Sequence, residues 1–166
     1  MADTIYQQLR AHVHDLRLSA VAEQLAPALE QAERDKPSYT QFLADLLAHE
    51  VTAVQQRRLQ GRLRFAKLPA RRTLDQFDFS AQPSLDRRLV EDLATLRFVE
   101  DKANLLLIGQ PGVGKTLLAT ILGHRAVEAG YRVYYTTAAD LVARTAKAAI
   151  EGRFAELERV RLARIA

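Results

Sequence analysis

The 166-residue chain contains no cysteine, and it has no apolar run near the length that a membrane-spanning helix needs, about 18 residues. Without cysteine a disulfide scaffold is excluded, which is typical of a cytoplasmic protein. The opening residues, MADTIYQQLR, include an acid and lack the basic-then-apolar order of a secretory signal. We therefore expect a cytoplasmic chain that has no membrane partner.

The chain also lacks an obvious catalytic or metal-binding constellation. No Ser–His–Asp, Cys–His or paired-carboxylate arrangement stands out. Two of the histidines are two positions apart on a predicted helix and face apart, while the other two are isolated, so a metal site is not expected. The histidines are His12, His14, His49 and His124. Apolar residues make up 48% of the chain, which is enough for a packed core.

Residues 1–68 predict a helical module. Apolar residues recur at helical spacing in two short opening segments, and Pro27 is expected to kink or interrupt the second. After a polar break, Ser38 has the position of an N-cap for one long helix from Tyr39 to about Ala66. Pro69 cannot continue a helical hydrogen-bond ladder, so the helix ends before it.

The second half of this long helix and the residues after it are strongly basic. No acid occurs between Glu50 and Asp75. The cations of this basic segment are Arg57, Arg58, Arg62, Arg64, Lys67, Arg71 and Arg72. Such a segment can follow a nucleic-acid backbone, and with Phe65 as its single aromatic residue it does not predict base stacking. A solvated helix face beside a linker and a surface for a partner protein remain open as alternatives.

The rest of the chain predicts the first part of an α/β nucleotide-binding domain at 85–166, joined to the helical module by a linker at 69–84. An alternation of strand, helix, strand and helix predicts a parallel sheet with right-handed crossovers. The predicted elements are a helix at Leu85 to Phe98, a strand at Leu105 to Ile108, a helix at Lys115 to Ala129 with Gly130 as its C-cap, a strand at Arg132 to Tyr135, and a helix at Asp140 to Glu151. Phe77 and Phe79, just before this domain, fit either an adenine pocket or core packing.

A phosphate-binding loop lies between the first predicted strand and its helix. In the sequence LLLIGQPGVGKT four residues separate a glycine from Gly-Lys-Thr, which satisfies the P-loop pattern. Glycines allow positive φ and a close backbone approach, the lysine reaches the β- and γ-phosphates, and the threonine hydroxyl can ligate Mg²⁺. The predicted ATP-binding residues are Gly109, Gln110, Pro111, Gly112, Val113, Gly114, Lys115 and Thr116, with Thr116 as the Mg²⁺ ligand.

Hydrolysis has weaker support than binding. P-loop ATPases need a second acidic site at the end of an apolar strand, which holds Mg²⁺ and polarises water. The acidic residues after Lys115 do not end such a strand; they are Glu128, Asp140, Glu151, Glu156 and Glu158. We therefore expect ATP binding with little hydrolysis from the residues in this sequence.

Three stretches resemble one known family. LRLSAVAEQL, RRLQGRLRFAKLPARRTLDQFDFS and LATLRFVEDKANLLLIGQPGVGKTLLATILGHRAVEAGYRVYYTTAADLV resemble the IstB-like helper ATPases of bacterial insertion sequences. The resemblance runs from about Leu16 to Val142. LPARRTLDQFDFS and GYRVYYTTAADLV are more specific to the family than the P-loop. These helpers are AAA+ ATPases similar to DnaC-like helicase loaders.

The resemblance implies an ATP-dependent homo-oligomer that assembles on duplex DNA and stimulates a transposase. It implies ATP and Mg²⁺ at Gly109 to Thr116, and DNA contact or assembly in the region of Arg57 to Arg72. Members of the family continue into an acidic strand, sensor residues and an arginine finger, so we expect a fragment or a truncated product of marginal stability. A helicase loader and a non-hydrolysing ATP- and DNA-binding module are the alternatives.

Overall fold

A computed structural model of the chain describes residues 2–152 apart from 82 and 84. It divides the chain into two compact units, Met1–Arg58 and Leu59–Ala166. The division falls inside the long helix, which contributes residues to both units. The domain bounds expected from composition, with a linker at 69–84, remain a prediction.

The first unit contains the helices α1 (Ala2–Asp15) and α2 (Ser19–Asp35) and the first part of α3 (Tyr39–Ala66). Its core is small, because four side chains supply the buried apolar cluster. These are Val13, Val21, Leu25 and Leu46. The helix α2 continues through Pro27, so of the predicted kink or interruption the interruption does not occur. Proline removes one donor from the helical ladder, and the buried side chains of α2 hold the helix despite that loss.

A carboxylate from α3 caps the start of α2. The residue before α2 provides no side-chain cap, and the buried Glu50 accepts hydrogen bonds from the N–H groups of Ala20 at 2.8 Å and Val21 at 3.3 Å. Its other oxygen accepts a hydrogen bond from Arg57 at 2.6 Å, and Arg57 also donates to Ser19 Oγ at 2.8 Å. The Arg57 bond lowers the pKa of the carboxyl most, the two N–H groups lower it further, and burial opposes them.

The bounds of α3 confirm the predicted long helix. Ser38 Oγ accepts a hydrogen bond from the N–H of Gln41 at 3.2 Å, which satisfies one of the free donors at the start of the helix. At the other end Lys67 has a left-handed conformation with φ of 51°, and Pro69 follows two residues later. The helix therefore ends one turn before the proline, through backbone conformation as well as through the ring.

The second unit is built around one buried helix. Its helices are two short 3₁₀ helices at Leu74–Gln76 and Phe79–Ala81, α4 (Arg87–Leu93), α5 (Arg97–Glu100), α6 (Lys115–Glu128) and α7 (Ala138–Ile150). Helix α6 supplies residues to two apolar clusters, one that contains Phe77 and Val90 and one that contains Leu96 and Val133. Burial on both sides of α6 fixes the loop that precedes it.

The predicted helix from Leu85 to Phe98 is two helices. Leu96 separates α4 from α5, because its backbone is left-handed, with φ of 66°. The Thr95 hydroxyl donates to the carbonyl of Asp92 at 2.7 Å, which gives a carbonyl at the end of α4 a partner. Leu96 itself is buried in the second cluster. Tertiary packing of this leucine therefore outweighs the continuous helical pattern.

The sheet portion of the predicted fold is not confirmed. Neither Leu105 to Ile108 nor Arg132 to Tyr135 forms a strand within the described residues. Leu105 and Leu107 pack against the core while Leu106 and Ile108 are exposed, which is the side-chain alternation of an extended segment. A cavity of about 420 Å³ has lining residues from both segments. A ladder requires a hydrogen-bonded neighbour, and the two segments do not provide one for each other in the part of the chain that is described.

Candidate nucleotide-binding site

The glycine-rich loop makes a tight turn directly before α6. Gly112 and Gly114 have φ of 87° and 89°, the left-handed region that glycine adopts without a steric penalty. Gly109 lies outside that region, and a Cβ atom there would make ordinary contacts with Val113 at 3.4 Å and Lys115 at 3.9 Å. The turn thus depends on two of the three glycines for its backbone conformation.

The N-terminus of α6 opens towards this turn. Gly114 is the N-cap and has no side chain to occupy the first N–H groups of the helix. Its carbonyl accepts from the N–H of Leu118 at 2.9 Å. Pro111 has no N–H group, and the other N–H groups of Gly109 to Thr116 donate to no backbone carbonyl within the described residues. Free N–H groups and the positive end of the helix dipole make this turn suited to an anion such as phosphate.

Lys115 places its ammonium group inside the loop. The Nζ atom donates to the carbonyl of Gly109 at 2.9 Å and to that of Gln110 at 2.6 Å. These bonds hold a positive charge beside the free N–H groups of the turn. A phosphate oxygen that enters the loop can accept from the same ammonium, so the site combines a point charge with backbone donors.

Thr116, the predicted Mg²⁺ ligand, is exposed one residue into α6. Its carbonyl accepts from the hydroxyl of Thr120 at 2.7 Å, and its own hydroxyl is on an accessible residue next to Lys115. No group of three or more His, Cys, Asp or Glu residues in the described part of the chain could hold a metal ion. A single hydroxyl suits Mg²⁺ that arrives with nucleotide phosphates, because this ion retains most of its other ligands as water and phosphate oxygen.

Phe77 supports the loop from the core. A Cβ atom on Gly114 would lie 3.3 Å from Phe77 Cε2, so the ring packs directly against the turn. Phe77 is buried in the first apolar cluster, and its ring meets that of Phe79 edge-on with centroids 4.9 Å apart. Arg87 lies 5.4 Å above the Phe79 ring. The structure thus places Phe77 in the core, which is one of the two roles that the sequence allowed for it, the other being the wall of an adenine pocket.

The family model that describes IstB-like ATP-binding proteins matches residues 11–166. The chain belongs to this family. It is 40% identical over 154 residues to a Geobacillus stearothermophilus protein named for insertion sequence IS5376 and for ATP binding, covering 93% of this chain and 61% of that protein. A Pseudomonas aeruginosa protein named for insertion sequence IS21 and ATP binding is 40% identical over 159 residues, 95% of this chain and 60% of its own length. The chain thus spans about 60% of the length of these curated relatives.

The acidic residues after the loop have partners elsewhere. Glu128 accepts from Arg71 at 2.6 Å, and Asp140 accepts from the Thr137 hydroxyl at 2.7 Å in the cap of α7. Glu151 lies 3.9 Å from Lys147. The remaining two candidates, Glu156 and Glu158, lie outside the described residues. Thr137 is the N-cap of α7, so the helix begins at Ala138, two residues before the predicted start, and the Asp140 N–H donates to the Thr137 hydroxyl at 3.1 Å.

The structure divides the seven cations of the basic segment by role. Arg57 and Arg71 are held in ion pairs, with Glu50 and Glu128. Lys67 lies 6.0 Å above the ring of Tyr134. Arg62 has a buried Nε atom with no hydrogen-bond partner among the described atoms. The other three are exposed; they are Arg58, Arg64 and Arg72.

None of the described helices is long and apolar enough to cross a membrane.

Proposed function

We propose that this chain is the ATP-binding part of a helper protein in DNA transposition. The proposal depends most on the loop at Gly109 to Thr116, where free N–H groups, the start of α6 and the Lys115 ammonium meet. In this proposal the loop binds the β- and γ-phosphates of ATP and the Thr116 hydroxyl ligates the accompanying Mg²⁺.

Transposition is supported by the family and by the names of the relatives. The Geobacillus and Pseudomonas proteins are both named for insertion sequences, as is a Bacteroides fragilis protein that is 38% identical over 135 residues. These names favour transposition over helicase loading. In our proposal the bound ATP supports assembly of several copies on duplex DNA, and the assembly stimulates a transposase.

Nucleotide binding is tested by titrating a fluorescent ATP analogue into the 166-residue chain in the presence of Mg²⁺. Lys115→Ala removes a charge-assisted contact of about 1.5–3 kcal/mol, which corresponds to roughly 10- to 100-fold weaker binding. Arg88→Ala, on the exposed face of α4, removes the same charge away from the loop and should leave the affinity unchanged. Equal affinity of Lys115→Ala and the wild type would exclude the P-loop as the nucleotide site.

Hydrolysis is a separate question from binding. The acidic residues described after Lys115 are bonded to other side chains, and we propose that the chain by itself turns over ATP slowly. Phosphate release with and without duplex DNA measures this directly. Rapid release that Lys115→Ala abolishes would contradict slow turnover while supporting the loop as the site.

A further inference from the structure

Cations from three separate stretches of the second unit meet around two aromatic rings. Lys67 directly follows α3, and Arg132 lies in the extended segment after α6. The other two cations, Arg144 and Lys147, are on α7. The members of this group, the cation–ring cluster, are Phe65, Lys67, Arg132, Tyr134, Arg144 and Lys147. Three of the four cations lie outside the basic segment that the sequence predicts for DNA contact.

The rings and the cations lie within cation–π distance. The Arg144 guanidinium carbon is 5.2 Å from the Tyr134 ring centroid, and Lys67 Nζ is 6.0 Å from it. The Arg132 guanidinium carbon is 4.9 Å from the Phe65 centroid. The two rings are tilted by 54° with centroids 5.7 Å apart. One continuous group of rings therefore orients three cations.

The end of α3 brings these residues together. The N–H of Tyr135 donates to the carbonyl of Ala66 at 2.8 Å, which joins the extended segment to the last turn of α3. Lys67 follows in the left-handed conformation with φ of 51°. This backbone bond sets Tyr134 beside Phe65 and Lys67. The arrangement is thus fixed by the main chain and does not depend on long side chains alone.

The cluster retains positive charge that nearby acids do not cancel. A cavity of about 550 Å³ is bounded by Lys67, Tyr134, Arg144 and Lys147 together with Asp140. Asp140 is bonded to the Thr137 hydroxyl in the cap of α7, and the other nearby acid, Glu151, lies 3.9 Å from Lys147. Four cations thus face two carboxylates, and Lys67, Arg132 and Arg144 are exposed.

The rings serve to hold the cations, because their faces already carry guanidinium and ammonium groups. Phe65 is 40% exposed and Tyr134 is half-buried, and each ring already has a cation near it, so base stacking would compete with these cations. Cations that are held before a ligand arrives lose less side-chain entropy on binding. The surface therefore suits closely spaced phosphates better than bases.

We propose that the cation–ring cluster binds the phosphate backbone of duplex DNA. This rests on the DNA-binding part of the proposed function and assigns it to a particular surface. A duplex is favoured over a single strand because its two strands present about one charge per 1.7 Å of axis, without any need for base stacking. The contact is independent of DNA sequence, since no base edge is read.

The test is DNA binding by the 166-residue chain, measured as fluorescence anisotropy of a labelled duplex over a range of salt concentrations. Arg132→Ala with Arg144→Ala removes two cations of the cluster. Arg88→Ala with Arg97→Ala removes two exposed arginines from other helices and is the charge-matched control. Each phosphate contact contributes about 0.9 to the salt slope, so the cluster variant should lose about 1.8 and bind roughly 60-fold less tightly near 0.1 M salt. The control variant should keep most of the salt slope and most of the affinity for duplex DNA.

Two tyrosine variants separate orientation from charge. Tyr134→Leu keeps every cation and should weaken DNA binding several-fold, whereas Tyr134→Phe keeps the ring face and should bind like the wild type. Thermal unfolding of each variant identifies any that fail to fold, and Tyr134→Phe provides the conservative comparison. If Tyr134→Leu binds duplex as tightly as Tyr134→Phe, the ring does not orient the cations.

The remaining outcomes are distinguishable. A cluster variant that matches its control, tighter binding of single strand than of duplex, or equal competition by polyglutamate would each overturn the proposal. A wild-type chain that binds ATP without any affinity for DNA would overturn it together with the DNA-binding part of the proposed function. A wild-type chain that binds DNA but not ATP would contradict the proposed nucleotide site and leave the proposed DNA surface standing.

Discussion

The same substitution, glycine to alanine, should have opposite effects at two positions of the second unit. Gly61 lies inside α3, and a Cβ atom there would meet nothing within 4 Å. Gly61→Ala should therefore stabilise the unit by about 0.5–1 kcal/mol, because alanine loses less backbone freedom in a helix. Gly114 has φ of 89° and has Phe77 Cε2 at 3.3 Å from a built Cβ atom.

The cost at Gly114 follows from these two features. A left-handed conformation costs a residue with a Cβ atom about 1–2 kcal/mol, and crowding a packed core costs about 1–3 kcal/mol more. Phe77 is buried in the first apolar cluster and has little room to withdraw. We expect Gly114→Ala to lose about 2–5 kcal/mol of unfolding free energy. Gly112→Ala, with φ of 87° and open space around the Cβ atom, should lose only the first part.

Urea unfolding, followed by circular dichroism, measures the free energy of unfolding of the three variants and of the wild type on one scale. From the most to the least stable protein, the expected order is Gly61→Ala, wild type, Gly112→Ala and Gly114→Ala. ATP analogue binding should weaken most in Gly114→Ala, because this residue sets the direction of the first N–H groups of α6. Equal stability of Gly112→Ala and Gly114→Ala would refute the contact with Phe77. A Gly114→Ala variant as stable as the wild type would refute the strained turn itself.

Two further predictions concern the first unit. The pKa of Glu50 is lowered in the fold, so its contribution to stability is complete above its usual pKa of 4.5 and is lost as the pH falls through the folded pKa. Thermal midpoints of the wild type should therefore fall more steeply than those of Glu50→Gln as the pH is lowered below 4.5, and parallel curves would contradict this. Leu25→Ala, at a side chain 1% exposed, should cost about 2–5 kcal/mol in urea unfolding. Leu16→Ala, at a side chain 69% exposed, should stay within about 0.5 kcal/mol, and similar losses for both would contradict the core placement.

Local sequence patterns predicted a helix correctly where several signals agreed. Tyr39 to Ala66 has an N-cap, a long apolar repeat and a proline beyond its end, and the structure has the same bounds. The prediction failed where packing decides the backbone. Leu96 takes a left-handed conformation because its side chain is buried, and nothing in the spacing of apolar residues shows this. The two predicted strands are extended segments that do not pair with each other within the described residues.

The geometry of the loop proposed for nucleotide binding could be predicted because it is local. All of its candidate residues lie within Gly109 to Thr116, and the turn, the helix start and the lysine follow from their order. The surface proposed for DNA was not predictable in this way. Arg132 and Arg144 are more than sixty residues after Lys67, and a backbone bond between Tyr135 and Ala66 brings the stretches together.

Charge density along a sequence also overstates the charge that is available for a partner. Arg71 is bonded to Glu128 on α6, and the neighbouring Pro69 carbonyl accepts a hydrogen bond from His124 of the same helix at 3.2 Å. Leu68 approaches the same helix so closely that a Cβ atom on Gly123 would lie 2.8 Å from it. These contacts fasten the start of the predicted linker to the helix that carries the phosphate loop. In the surface proposed for DNA, three of the four cations come from outside the basic segment; they are Arg132, Arg144 and Lys147.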